Sequence, residues 1–65
     1  MRTYYVSETQ NLQSIRQAEP ISAEDLTTAE KIAVENQVFQ GTVLKIYSDV
    51  NENGYGVNEL ARLNA

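Results

Sequence analysis

The chain has 65 residues, a length that fits one domain, residues 1–65. It contains no cysteine and no histidine, so it lacks disulfides, thiolate metal ligands and the commonest general base. Five basic and nine acidic side chains give a net charge of −4, which opposes non-specific attraction to a phosphate backbone. We therefore expect a protein that binds another protein, with no catalytic residue, no cofactor, no metal and no specific nucleic-acid contact.

The first predicted element is a strand over residues 2–8, rich in aromatic and β-branched side chains. Its alternation places Tyr4 and Val6 on one face. Polar residues 9–11 then predict a turn, and residues 12–17 form a second candidate strand with a less regular pattern. The N-terminal third is therefore expected to supply sheet rather than helix.

A short strand over residues 21–23 leads directly into an amphipathic helix. Pro20 confines this stretch to a sheet edge or a strand start, because proline has no N–H to donate. Either Asp25 or Ser22 can cap the helix. A helix of this length is not stable alone, so its apolar stripe must pack on a sheet. That stripe consists of Leu26, Ala29, Ile32 and Ala33.

The pattern of residues 38–47 predicts another strand, in which two large aliphatic side chains point to the same face. They are Leu44 and Ile46. If that face of the strand packs on the core, Phe39 lies beside Lys45 on the opposite, more solvent-exposed face. A bulge at Gly41 would change this register. The alternative is that Phe39 closes the core where helix meets strand. The sequence leaves both positions of the ring open.

The C-terminal segment predicts a hairpin, because Asn53 and Gly54 both tolerate positive φ and suit a two-residue turn. Residues 55–57 would be the return strand, and residues 59–63 fit either a last strand or a turn of helix. Residues 49–54 also match the first half of an EF-hand calcium loop. The second half fails, since Leu60 stands where a bidentate acid is required, so we favour a polar turn.

One block in the middle of the chain, Q-x-F-x-G-T-V, is the most specific pattern in the sequence. Together with positions spread without a gap over residues 4–46, it makes the chain resemble a family of small phage-encoded anti-CRISPR proteins, the ninth described against type I-F systems. The matching positions are Tyr4, Glu8, Gln10, Asn11, Ser14, Arg16, Ile21, Ala23, Glu24, Leu26, Ala29, Ile32, Ala33, Gln37, Phe39, Gly41, Thr42 and Val43.

The resemblance implies an α+β fold, in which one α-helix packs across an antiparallel sheet of about five strands. It also implies a mechanism. Such proteins bind the backbone subunit of the type I-F crRNA-guided surveillance complex and block the path along which target DNA pairs with the guide. Because sequence is read there by base pairing along a positively charged channel, steric occlusion is sufficient and no catalysis is needed. The expected location is the cytoplasm of the bacterial host.

Carried onto this chain, the resemblance makes Gln37 and Phe39 the central partner contacts. The strand alternation described above adds Lys45 beside them. Lys31 stands where the family has an arginine, and Glu35 replaces a lysine, which reverses the charge. After residue 46 the chain departs from the family pattern, so the rest of the interface is not transferred. A different class of function stays open as the alternative, namely a phage protein-protein interaction or self-associating module with no CRISPR role.

Overall fold

Four antiparallel strands and one helix make up the computed structural model, which describes residues 1–64. The strands stand in the order β2-β1-β3-β4. The predicted α+β class, with one helix on an antiparallel sheet, is confirmed, but the expectation of about five strands was wrong. The elements are β1 (Arg2–Gln10), β2 (Gln13–Ala23), α1 (Leu26–Glu35), β3 (Val43–Val50) and β4 (Gly56–Asn64).

The strand count is lower than expected because β2 is a single strand where the sequence predicts two. It continues through Pro20, which lies opposite Tyr5 of β1. A proline is tolerated there because β2 is an edge strand whose outer N–H groups have no strand to reach. The edge position expected for Pro20 is therefore confirmed, while the predicted break around it is not.

The β1–β2 turn lies at Asn11 and Leu12, slightly later than the predicted turn at 9–11. Both residues have positive φ, 53° and 65°, and Gln10 pairs with Gln13 across them. Positive φ at both central positions is the two-residue hairpin geometry that matches the twist of the strands. Asparagine adopts this conformation readily, whereas a bulky leucine rarely does.

The helix packs on the sheet through its alanines, as the apolar stripe predicts. Ala29 and Ala33 are buried, and their small side chains let the helix lie close over Leu44 and Ile46 of β3. Of the two predicted caps, Asp25 is the one used, since its Oδ1 accepts the N–H of Thr28 at 2.8 Å. The helix and the central strands therefore form one small core.

The β3–β4 hairpin is present, but its connection is longer than the predicted two-residue turn. The loop spans residues 51–55, and only Gly54 has positive φ there. Asn51 closes it, because its N–H donates to the Tyr55 carbonyl at 2.9 Å and its carbonyl accepts the Gly54 N–H at 3.0 Å. Residues 59–63 are strand, interrupted by a bulge at Leu60 where the register to β3 shifts.

Candidate partner-binding site

The segment that carries Gln37 and Phe39 is the loop between α1 and β3, residues 36–42, which we call the Phe39 loop. Phe39 precedes β3, so the strand alternation that placed it beside Lys45 does not apply to it. The ring is nevertheless at the surface, with 43% of the residue exposed. A sealed position in the core, the alternative left open by the sequence, is therefore not what the fold adopts.

The Phe39 loop is held by the carboxylate of Glu8, a fully buried residue of β1. Its Oε2 accepts the N–H of Val38 and its Oε1 accepts the N–H of Phe39, both at 2.9 Å. Thr42 donates its hydroxyl to Oε1 at 3.0 Å, and Arg16 pairs with Oε2 at 2.7 Å. One side chain therefore fixes both ends of the segment that presents the ring.

The charge on Glu8 is maintained inside the protein by this set of donors. Burial raises the pKa of the Glu8 carboxyl, while the hydrogen bonds from Arg16, from the two loop amides and from Thr42 lower it, and the net pKa is below its usual value. Arg16 also pairs with Glu19, which raises the pKa of the guanidinium despite partial burial. A buried charge is stable only when it is satisfied in this way.

Gln37 closes the Phe39 loop from within. Its Nε2 donates to the Phe39 carbonyl at 2.9 Å and to the Thr42 hydroxyl at 3.1 Å. Both hydrogens of the Gln37 amide are therefore used within the loop. The side chain stabilises the loop and has no free donor for a partner. Its Oε1 is the atom that can accept a bond from a partner without disturbing the loop.

Lys31 and Glu35 lie on the helix, which ends directly before the Phe39 loop. With Val34 and Leu63 they line an open groove of about 410 Å³ between α1 and the end of β4. Val34 is half exposed, and Val38 is 60% exposed. Apolar side chains are therefore exposed both in the last turn of the helix and in the Phe39 loop.

Lys45 lies elsewhere. Its neighbours in β3, Leu44 and Ile46, point at the helix, so Lys45 points to the opposite face of the sheet. There it lies opposite Ser7 of β1 and Arg62 of β4. The five predicted contact residues thus divide into three sets: Gln37 and Phe39 in the Phe39 loop, Lys31 and Glu35 on the helical side of the groove, and Lys45 on the far face.

No structural role is predicted from the sequence for Glu8, the residue that organises the Phe39 loop. The signal was present, because Glu8 continues the alternation of Tyr4 and Val6 and therefore occupies a core-facing position of β1. A carboxylate at such a position needs several donors. What the alternation does not indicate is which donors, since the two loop amides lie 30 and 31 positions away in sequence.

Two side-chain oxygens of the β3–β4 hairpin, one from Asp49 and one from Asn51, accept backbone N–H groups. Asn51 Oδ1 accepts the N–H groups of Asn53 and Tyr55, both at 3.0 Å, and Asp49 Oδ1 accepts that of Val50. This is the polar turn favoured over the calcium loop. Over residues 1–64 there is no group of three or more side chains suited to holding a metal, and no helix long and apolar enough to span a membrane.

Comparisons of this chain with protein families, with curated proteins and with solved structures find no match. A function for this chain must therefore be inferred from its own sequence and structure, and two observations are available for that. One is the pattern of residues over 4–46 described above. The other is the geometry of the Phe39 loop and its buried carboxylate.

Proposed function

We propose that this chain is an anti-CRISPR inhibitor, which acts in the cytoplasm of the bacterial host. It binds the backbone subunit of a type I-F crRNA-guided surveillance complex and sterically blocks hybridisation of target DNA. The contact surface consists of Phe39 and Val38 at its centre, with Gln37, Lys31 and Glu35 around them. No chemical step is part of the proposal.

The observation that carries the proposal is that an exposed aromatic ring sits on a loop held from inside. Loops with exposed apolar side chains are usually mobile, and ordering them on binding costs free energy. Here Glu8 bonds the N–H of Phe39 itself, and Gln37 bonds its carbonyl. The backbone that carries the ring is therefore held in place before a partner arrives, which lowers the cost of ordering the loop around an interface anchor.

The positions that match the anti-CRISPR pattern support the same surface. Four of them are polar and far apart in sequence, yet they meet in one hydrogen-bonded cluster behind the Phe39 ring. This clustering gives a physical reason for those residue types to occur together with a phenylalanine. The four are Glu8, Arg16, Gln37 and Thr42.

The size and charge of the chain suit occlusion. Its extents are 31 × 26 × 16 Å, several times the spacing of successive base pairs, and its net charge is −4. A guide-target heteroduplex lies in a positively charged channel, to which an acidic body of this size is electrostatically complementary. Bound there, it would exclude DNA without contacting nucleic acid.

The test is target-DNA binding by a purified type I-F surveillance complex with the protein in molar excess. We expect wild-type protein to abolish DNA binding, and Phe39→Ala to weaken inhibition by about 2 kcal/mol, roughly thirtyfold in affinity. Leu60→Ala is the matched control, since Leu60 is 41% exposed on β4, away from the loop. Unchanged DNA binding at excess wild-type protein would reject the function.

The alternative, a self-associating phage module with no CRISPR role, is favoured by one specific feature. In the sheet order, β4 is an edge strand, and it exposes Val57 and Leu60. An exposed apolar edge is a template for pairing with another strand. A concentration-dependent dimer in light scattering that Leu60→Lys dissociates, with no inhibition of DNA binding, would establish this alternative.

A further inference from the structure

The far face of the sheet, opposite the helix, carries a second groove unrelated to the Phe39 loop. It has a volume of about 420 Å³ and lies between the β1–β2 turn and the ends of β3 and β4. Its lining includes Leu12, Val43, Lys45, Arg62 and Asn64. In a chain with only five basic residues, two of them meet in this groove.

The two basic residues are directly opposed. Lys45 of β3 and Arg62 of β4 are cross-strand partners, an arrangement that destabilises a sheet because like charges face each other. Glu59 offsets part of the repulsion, since it pairs with Arg62 at 3.1 Å. Within residues 1–64 no carboxylate lies within ion-pair distance of Lys45, and Glu59 is the carboxylate within that distance of Arg62.

Next to this cationic pair stands an apolar side chain at a conformational cost. Leu12 is 100% exposed and has φ +65°, which leucine rarely adopts. Asparagine or glycine would form the same turn without exposing an apolar side chain. The opposed cations and the exposed leucine with positive φ both lower the stability of the free protein, and both line the same groove. A ligand that neutralises the cations and covers the leucine would explain why the two features occur together.

We propose that this groove binds an acidic, apolar peptide segment of a protein partner. A carboxylate of the segment pairs with Lys45 and Arg62, and a neighbouring apolar side chain covers Leu12 and Val43. A nucleic-acid strand fits the same groove less well, because two cations, one already paired with Glu59, neutralise few phosphates and the rest of the chain is acidic. A phosphate would also leave Leu12 uncovered.

The experiment is a ¹⁵N-resolved NMR titration of the full chain with the capped tripeptide acetyl-Leu-Glu-Leu-amide. Acetyl-Leu-Gln-Leu-amide is the matched probe without charge. We expect the amides of Leu12, Val43, Lys45 and Arg62 to shift with the Glu peptide, and the Gln peptide to bind about two- to fivefold more weakly, as for an exposed ion pair. Equal binding of the two peptides, or no shift at several millimolar, overturns the proposal.

Two variants separate binding from folding. Leu12→Asn suits the positive φ of the turn, so it should raise the melting temperature while it weakens binding of the Glu peptide. Lys45→Gln should reduce the preference for the Glu peptide. Arg2→Gln, the control at the end of β1 that lies away from the groove, should leave that preference unchanged. If a 12-base-pair duplex shifts the same amides at lower concentration than the Glu peptide, the site is for nucleic acid and the proposal is wrong.

Discussion

The Glu8 carboxylate accepts the backbone N–H of Phe39 at 2.9 Å, across 31 positions of sequence. This bond joins a fully buried charge on the central strand β1 to the exposed ring that we propose as the partner anchor. Because the same carboxylate also bonds Val38, Thr42 and Arg16, the shape of the Phe39 loop depends on one ionised group.

Replacing that group should damage both the fold and the loop. Glu8→Gln introduces an NH₂ among donors and leaves Arg16 partly buried without its full partner, so we expect a loss of about 3 kcal/mol in unfolding free energy. Urea denaturation measures it. Glu52→Gln, an exposed change in the β3–β4 loop, should lose less than about 0.5 kcal/mol. Similar losses for the two variants would contradict the central role of Glu8.

Acid should release the Phe39 loop. The pKa of Glu8 is lower in the folded than in the unfolded chain, so its contribution to stability is complete above the unfolded pKa, about 4.3, and is lost as pH falls through the folded value. The cap residue Asp25 has a lowered pKa too, through its bond from the Thr28 N–H, and acts in the same direction.

Urea unfolding between pH 2 and pH 7 measures this effect. Wild-type protein should become less stable from about pH 4.3 downward, and Glu8→Gln should show a smaller decrease over the same interval. Asp25→Asn removes the contribution of the Asp25 carboxyl to the pH dependence of stability and leaves the contribution of Glu8. A Glu8→Gln protein whose pH dependence equals that of wild type would contradict the assignment.

Gly56 should tolerate no side chain. A Cβ built there would lie 2.2 Å from Cδ2 and 2.4 Å from Cγ of the Tyr47 ring, so the ring must move. We expect Gly56→Ala to cost about 1–3 kcal/mol. In a Tyr47→Ala background the same change should cost much less, because the collision is gone. Additive costs in this double-mutant cycle would mean that the ring is not the obstacle.

Lys45→Glu should stabilise the sheet. It replaces a like-charge pair with an opposite-charge pair across from Arg62, which is worth about 0.2–1 kcal/mol. The same substitution should remove binding of the acidic peptide. Thermal melting of the variant and of wild type in low and high salt measures the increase in stability, which should become smaller as salt screens the ion pair. A lowered melting temperature would show that Lys45 has a favourable partner in the native sheet.

The sequence by itself determined the elements whose cause is local. Alternation of side chains indicates β1 and the inward pair Leu44 and Ile46, and the helical stripe indicates α1. The sequence also restricts the helix cap to two residues, Ser22 and Asp25. These features follow from the backbone period of each element and the solubility of each side chain. The α+β class follows too, because one short amphipathic helix requires a sheet to cover its apolar face.

Only the tertiary structure decided where the Phe39 ring lies and what holds it. Phe39 is in a loop, where no period relates its side chain to the sheet, and its position is set by the distant carboxylate of Glu8. Likewise, the opposition of Lys45 and Arg62 depends on strand register, which pairing along the whole of β3 and β4 determines. Both relationships join residues far apart in sequence, so the folded chain was required to reveal them.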